Sequence, residues 1–129
     1  MIYADHAATT ALNPAAYEAM LPWLQDKYGN PSTLYSLARD PRKAVAHSRE
    51  VIAAAINAEP SEIFFTSGGT EADNWALKGT MFQYDRRKGL ITSAIEHHAV
   101  LNSCVALERM GYAIDTLPVD QMGIVQAEA

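Results

Sequence analysis

The stretch EIFFTSGGTEADN, residues 62–74, passes from apolar residues to turn-forming residues, and this succession predicts the fold class. Residues 62–66 are mostly apolar and rich in β-branched and aromatic side chains, which predicts a buried strand. Residues 67–70 are turn formers, and a helix is expected from Thr70 to Arg87. That helix is apolar nearly all round, as expected for a helix buried between layers. A strand, a glycine turn and a helix in immediate succession are typical of an α/β chain.

The same alternation continues on both sides of this stretch. Upstream, Asn13-Pro14 predicts a helix start, which Pro22 should later kink or split, and Asp40-Pro41 predicts a second helix that ends near Asn57. The buried side of this second helix is expected to carry Val45, Ile52 and Ile56. The other expected elements are strands at residues 2–4, 90–95 and 113–117, a helix at residues 99–110 and a short extended piece at residues 124–125. Strands that alternate with helices at this spacing predict a largely parallel sheet with right-handed crossovers.

Composition and charge exclude several classes of protein. The chain has 129 residues and a net charge of -5, which argues against a nucleic-acid surface. It contains no run of about 18 apolar residues, so no membrane span is expected, and Asp5 in a start without basic residues argues against a secretory signal. The single cysteine, Cys104, aligns with the apolar face of its helix and is expected in the core. A soluble cytoplasmic protein is the simplest interpretation. The basic triplet at residues 86–88 is interpreted as a helix C-terminus.

The glycine turn is the first candidate site. In an open α/β sheet, ligands bind beyond the carboxyl ends of the strands, and Gly68-Gly69 follows such an end. Paired glycines allow backbone N–H groups to approach an anion closely, the helix N-terminus adds partial positive charge, and Thr70 offers a hydroxyl. The residues alone leave a second interpretation open, in which Ser67 or Thr70 caps a tight turn and Glu71 lies near the helix start.

The segment SAIEHH, residues 93–98, is the second candidate site. An imidazole just beyond a buried strand could stack on a cofactor ring, transfer a proton or bind metal, and a structural role is equally compatible with its position. Tandem histidines at one helix start point in different directions, so no metal site is predicted. The loop DHAATT, residues 5–10, could line a pocket or form a simple loop, and His47 is expected to be exposed.

Taken together, these segments resemble one family, the cysteine desulfurases, which are the class V branch of the fold-type-I pyridoxal-phosphate enzymes. The matching motifs are DHAATT at 5–10, GNPS at 29–32, TSGGTEADN at 66–74 and SAIEHHAV at 93–100, and LPVD at 117–120 with Gly123 continues the match. The resemblance covers essentially the whole chain and implies a three-layer large domain with a mostly parallel sheet and flanking helices, incomplete in this chain. Residues 1–13 would belong to the small domain and residues 14–129 to the first part of the large, cofactor-binding domain.

The resemblance also implies roles for individual residues. Gly69 and Thr70 would hold the phosphate of pyridoxal 5'-phosphate, and His97 would stack on the pyridine ring and assist proton transfer. Ala8 and Thr9 would border the substrate pocket. The reaction implied is conversion of L-cysteine to alanine with an enzyme-bound persulfide, passed to a sulfur-acceptor protein for iron–sulfur cluster assembly by a homodimer.

The chain departs from the family pattern in two respects. Tyr35 stands where the family usually has histidine, and Ala38-Arg39 stands where it usually has Gly-Arg. In addition, none of the lysines at 27, 43, 78 and 88 follows a histidine, as the family's Schiff-base lysine does, and Cys104 does not match the persulfide cysteine. The chain alone is therefore expected to be inactive. The alternatives are a non-catalytic truncated chain and a segment of a related class V enzyme, such as a selenocysteine lyase or an aminotransferase.

Overall fold

The computed structural model describes residues 2–83 and 89–126, which divide into two compact units at the boundary between Phe64 and Phe65. The first unit contains helices α1 (Pro14–Gln25) and α2 (Arg39–Ile56) with two single 3₁₀ turns, Ser36–Ala38 and Pro60–Glu62. The second unit contains α3 (Gly69–Gln83), β1 (Gly89–Ser93), α4 (His98–Arg109) and β2 (Ala113–Leu117). The expected end of α3 at Arg87 and the basic triplet at 86–88 lie outside the described residues.

Helix α1 begins at the predicted cap. The Asn13 side chain accepts a hydrogen bond from the backbone N–H of Ala15, and Pro14 occupies the first turn. The helix then continues through Pro22 to Gln25, so the prediction that Pro22 divides it is wrong. Proline removes one hydrogen bond, but it lies one turn from the helix end, and the carbonyl of Pro22 accepts the N–H groups of Asp26 and Lys27.

Helix α2 begins at Arg39, one residue before its predicted start, and ends as predicted at Asn57, which has left-handed φ 55° and ψ 46°. It packs mainly against the two 3₁₀ turns of its own unit, and only its small residues Pro41 and Ala53 are buried. The expected burial of Ile52 and Ile56 is therefore wrong for this chain: they are 39% and 64% exposed, because these short turns cover little of the helix.

The backbone passes very close to Gly29 at Leu37. A Cβ at this position would lie 2.1 Å from the carbonyl oxygen of Leu37, so only glycine fits. The turn that follows is held by Arg42, whose guanidinium donates to the carbonyls of Pro31 and Thr33.

The second unit is a βαβ element. Strands β1 and β2 are parallel and pair from Gly89 with Ala113 to Ser93 with Leu117, and α4 connects them. These two strands and α4 confirm the predicted elements within two residues, and the α/β class with a parallel sheet is confirmed. The extended piece predicted at 124–125 forms an antiparallel bridge between Val119 and Val125.

The core of this unit lies where α3 packs against α4. Leu107 is fully buried, Cys104 is 4% exposed and Met81 is 3% exposed, so the placement of Cys104 in the core is confirmed. Ser103 is also buried, and its hydroxyl donates to the carbonyl of Ala99 at 2.7 Å.

Two predicted strands, at residues 2–4 and 62–66, are absent from the structure. A strand requires a neighbour for its backbone groups, and no described segment pairs with either of them. Glu62 instead closes the 3₁₀ turn, and the carbonyl of Ile63 accepts from Arg49 at 3.1 Å. Helix α3 is likewise less buried than its composition predicts, since Trp75 and Phe82 are each 53% exposed.

Candidate functional site

The glycine turn places an open helix N-terminus directly before α3. The first hydrogen bond of this helix runs from the N–H of Ala72 to the carbonyl of Gly68 at 3.1 Å. The N–H groups of Gly69, Thr70 and Glu71 precede it and have no acceptor within the described part of the chain. Three adjacent donors at the positive end of a 15-residue helix are an arrangement that is suited to binding an anion.

Gly68 and Gly69 are not required by the fold of the described chain. Neither has a positive φ, and a Cβ built on either would meet no atom within 4 Å. The two usual structural reasons for glycine, a left-handed backbone and close packing, are therefore absent here. The open space beside this backbone is compatible with the close approach of an external group such as a phosphate.

The turn is held in shape by hydrogen bonds on both sides of the glycines. One carboxylate oxygen of Glu71 accepts from both the N–H and the hydroxyl of Ser67, at 2.6 and 2.7 Å. The hydroxyl of Thr66 donates to the carbonyl of Gly68 at 3.1 Å. The Ser67 hydroxyl and then its N–H lower the pKa of Glu71 below its usual 4.5, because both stabilise the ionised form. The capping interpretation is thus partly correct, since Ser67 and Glu71 close the turn while the donors of Gly69 and Thr70 stay open.

Two residues to which the sequence analysis gave no role extend this arrangement along α3. The amide of Asn74 donates to the carbonyl of Thr70 at 2.9 Å, and the ammonium of Lys78 donates to Asn74 Oδ1 at 2.6 Å. Their spacing of four residues places the three side chains on one face of the helix and is the sequence signal that could have identified them.

His97 lies where β1 leads into α4. Its Nδ1 accepts the N–H of Ala99 at 3.1 Å, so the imidazole is the N-cap of α4. The ring is exposed, and the His98 ring lies 6.3 Å away, centroid to centroid. Just before it, Glu96 accepts from the hydroxyl of Ser93 at 3.1 Å. The predicted imidazole therefore stands beyond the carboxyl end of a parallel strand, where such folds place ligand-binding residues.

The remaining predicted site residues lie in the first unit. Ala8 and Thr9 are exposed, in a segment where the Tyr3 hydroxyl donates to the carbonyls of Asp5 and Thr9. Their role at a substrate pocket stays a prediction. His47 is exposed, with its Nδ1 3.6 Å from Glu50.

Neither a metal cluster nor a membrane span is found in the described ranges. Across residues 2–83 and 89–126, no three His, Cys, Asp or Glu side chains are grouped to hold a metal ion. No helix within these ranges is long and apolar enough to cross a membrane.

Comparison with known proteins identifies the family. The model of the class-V aminotransferase family matches residues 2–129, and the chain therefore belongs to that family. Within it, the chain is 49% identical over 128 residues to cysteine desulfurase IscS of Dictyoglomus turgidum, covering 98% of this chain and 32% of the relative. It is 46% identical to cysteine desulfurase IscS of Methanosarcina thermophila, with the same coverage.

Solved structures agree with the sequence relatives. A NifS-like protein superposes with a TM-score of 0.90 at 36% identity, over 96% of this chain and 34% of that one. SspA in complex with cysteine superposes with a TM-score of 0.82 at 40% identity, over 89% of this chain and 34% of that one. The resemblance to cysteine desulfurases and to their fold is thus confirmed. The chain spans about a third of the length of the relatives it matches.

Proposed function

We propose that this chain supplies the phosphate-binding turn and the ring-stacking histidine of a pyridoxal-phosphate-dependent cysteine desulfurase. The observation that carries the proposal is the open N-terminus of α3, where Gly69 and Thr70 present unpaired N–H groups beside space that no described side chain fills. Membership in the class-V family and similarity to proteins named cysteine desulfurase support the cofactor and the L-cysteine substrate.

Each of the candidate residues has its own role in this proposal. Gly69 and Thr70 bind the cofactor phosphate through backbone N–H groups, with the Thr70 hydroxyl as a further donor. Charge-assisted hydrogen bonds of this kind are the strong ones, so the turn anchors and orients the whole cofactor. His97 stacks on the ring, and Ala8 and Thr9 border the substrate. When bound, the cofactor supplies the electron sink that this chemistry needs.

Family membership also supports a proposal for the wider setting. The whole protein converts L-cysteine to alanine and an enzyme-bound persulfide, works in the cytoplasm as a homodimer, and passes sulfur to an acceptor protein for iron–sulfur cluster assembly. We expect no sulfide from this chain alone with cofactor and L-cysteine. No lysine here matches the family's cofactor-bonding lysine, and Cys104, only 4% exposed, cannot reach a substrate. Sulfide release by the isolated chain would contradict the expectation that this chain alone is inactive.

Cofactor binding tests the central claim. Pyridoxal 5'-phosphate is titrated into the chain while the amide resonances of Gly69, Thr70 and Glu71 are followed, with pyridoxal, which lacks the phosphate, as the matched ligand. The phosphate form should shift these amides, and pyridoxal should leave them unchanged. Thr70→Val, which keeps the shape but removes the hydroxyl, should weaken binding about tenfold, the value of one hydrogen bond to a charged group. Equal shifts with both ligands, or none with either, would overturn the proposal.

A further inference from the structure

His97 combines two tasks whose chemical demands conflict. As the N-cap of α4, its Nδ1 accepts the N–H of Ala99 at 3.1 Å. A nitrogen that accepts a hydrogen bond must present a lone pair, so Nδ1 carries no hydrogen in this arrangement. The proton of the neutral ring therefore lies on Nε2.

We propose that His97 works as a neutral imidazole with its hydrogen on Nε2, and that it takes up a proton only by releasing the cap of α4. This inference rests on the proposed function for the identity of the stacked ligand, but not for the state of the ring. With Nδ1 occupied by Ala99 and Nε2 protonated, neither nitrogen is available as a base while the cap is formed, so the proton transfer that the family resemblance implies for His97 requires the cap to open. The capped ring stacks and donates one hydrogen bond, from Nε2–H.

Protonation and capping exclude each other geometrically. A hydrogen on Nδ1 would face the hydrogen on the Ala99 nitrogen across 3.1 Å, so the imidazolium must turn away. Proton uptake is thereby coupled to the first turn of α4. The other bonds of that turn, from Val100 and Leu101 to the carbonyl of His97, do not involve the ring and remain.

The acidic groups of the described neighbouring elements form no ion pair with the His97 ring. His98 lies 6.3 Å away between ring centroids, and the neighbouring Glu96 accepts from Ser93. Of the elements near α4, α3 carries Glu71, Asp73 and Lys78 and β2 carries Asp115. Within the described ranges, no acidic side chain of these elements lies within 4 Å of the His97 nitrogens.

Nuclear magnetic resonance of the ¹⁵N-labelled chain tests the tautomer without cofactor. Long-range nitrogen–proton correlations at alkaline pH should show an unprotonated Nδ1 and a protonated Nε2 for His97. His98 and His47, which cap no helix, serve as references in the same spectrum. A protonated Nδ1 on His97 at alkaline pH would overturn the proposal.

Amide exchange tests the coupling. On acidification, protection of the Ala99 amide should fall roughly 2- to 30-fold, the equivalent of a lost cap, while that of Val100 stays unchanged. His97→Asn keeps a capping side chain that does not titrate, so Ala99 should stay protected at every pH. His97→Ala should lose the protection at every pH. Ala99 protection that persists after His97 is protonated would refute the coupling. Because these readouts need no ligand, a failure to bind cofactor would sink the proposed function and leave this inference standing.

Discussion

Replacing Gly69 by alanine separates binding from folding. Because a Cβ at Gly69 meets nothing within 4 Å and φ is not positive, the added methyl group is compatible with the folded chain. Alanine is favoured over glycine in a helix by about 0.5–1 kcal/mol, so Gly69→Ala should leave stability unchanged or raise it slightly. The methyl group would nevertheless occupy the space that a bound phosphate needs.

Gly29→Ala is the matched control, with the opposite expectation. Here the new Cβ would lie 2.1 Å from the carbonyl oxygen and 2.6 Å from the carbonyl carbon of Leu37, and backbone atoms cannot move aside as a side chain can. Overpacking of this kind costs about 1–3 kcal/mol. Thermal unfolding followed by circular dichroism should therefore show a lower Tm for Gly29→Ala and an equal or higher Tm for Gly69→Ala.

The two variants should differ in the opposite sense in their affinity for pyridoxal 5'-phosphate: the more stable Gly69→Ala should be the weaker binder. Gly69→Ala should bind at least about tenfold more weakly, the equivalent of one lost hydrogen bond to a charged group, and Gly29→Ala should bind normally below its Tm. Titration calorimetry at a temperature where all three chains are folded measures this. Unchanged affinity in Gly69→Ala would refute the argument that the glycine pair exists to admit a phosphate.

Two further predictions concern the turn and the core. The pKa of Glu71 is lowered in the folded chain, so its ionised form stabilises the fold. This stabilisation is present above pH 4.5 and is lost as the pH falls through the folded-state pKa. The stability difference between the parent chain and Glu71→Gln should therefore shrink on acidification below pH 4.5. Urea unfolding at several pH values measures this difference, and one that stays constant into acid would contradict the assignment. Leu107→Ala, at a fully buried position, should lower the free energy of unfolding by about 2–5 kcal/mol, whereas Val105→Ala on the same helix, at a position 44% exposed, should cost less than about 1 kcal/mol. Equal losses in the two variants would show that the α3–α4 contact is not the core of this unit.

The sequence predicted those parts of the fold that depend on neighbouring residues. Asn13 and Asn57 mark helix boundaries because a cap or a left-handed residue acts within one turn. The strand predicted at residues 62–66 is absent because its residue types specify a preference, whereas a ladder also needs a partner strand. Burial of Ile56 was mispredicted for the same reason, since burial depends on what covers a helix face.

The candidate site likewise has features that depend on neighbouring residues and features that depend on the folded chain. Residue types and order made Gly69, Thr70 and His97 candidates, and the structure places each beside a helix N-terminus. The hydrogen bonds that shape the site were not predictable in detail, because Ser67 had two possible partners, the helix and Glu71. Ser67 donates to Glu71 because of distances that are set only in the folded turn.

The helix N-termini of this chain explain why an anion would select the glycine turn. Helix α1 is capped by Asn13 and helix α4 by His97, so in each the N-cap side chain satisfies a first-turn donor. Helix α2 has no side-chain cap, but it continues directly from the 3₁₀ turn before it, whose backbone accepts the N–H of its first residue. Helix α3 begins with glycine, which has no side chain to do this, and the nearby hydroxyl of Ser67 is engaged by Glu71. Unpaired donors at a helix start are costly unless water or a ligand satisfies them, and a phosphate does so with charge as well as geometry. In the proposed enzyme, the cofactor phosphate is therefore the cap that α3 lacks.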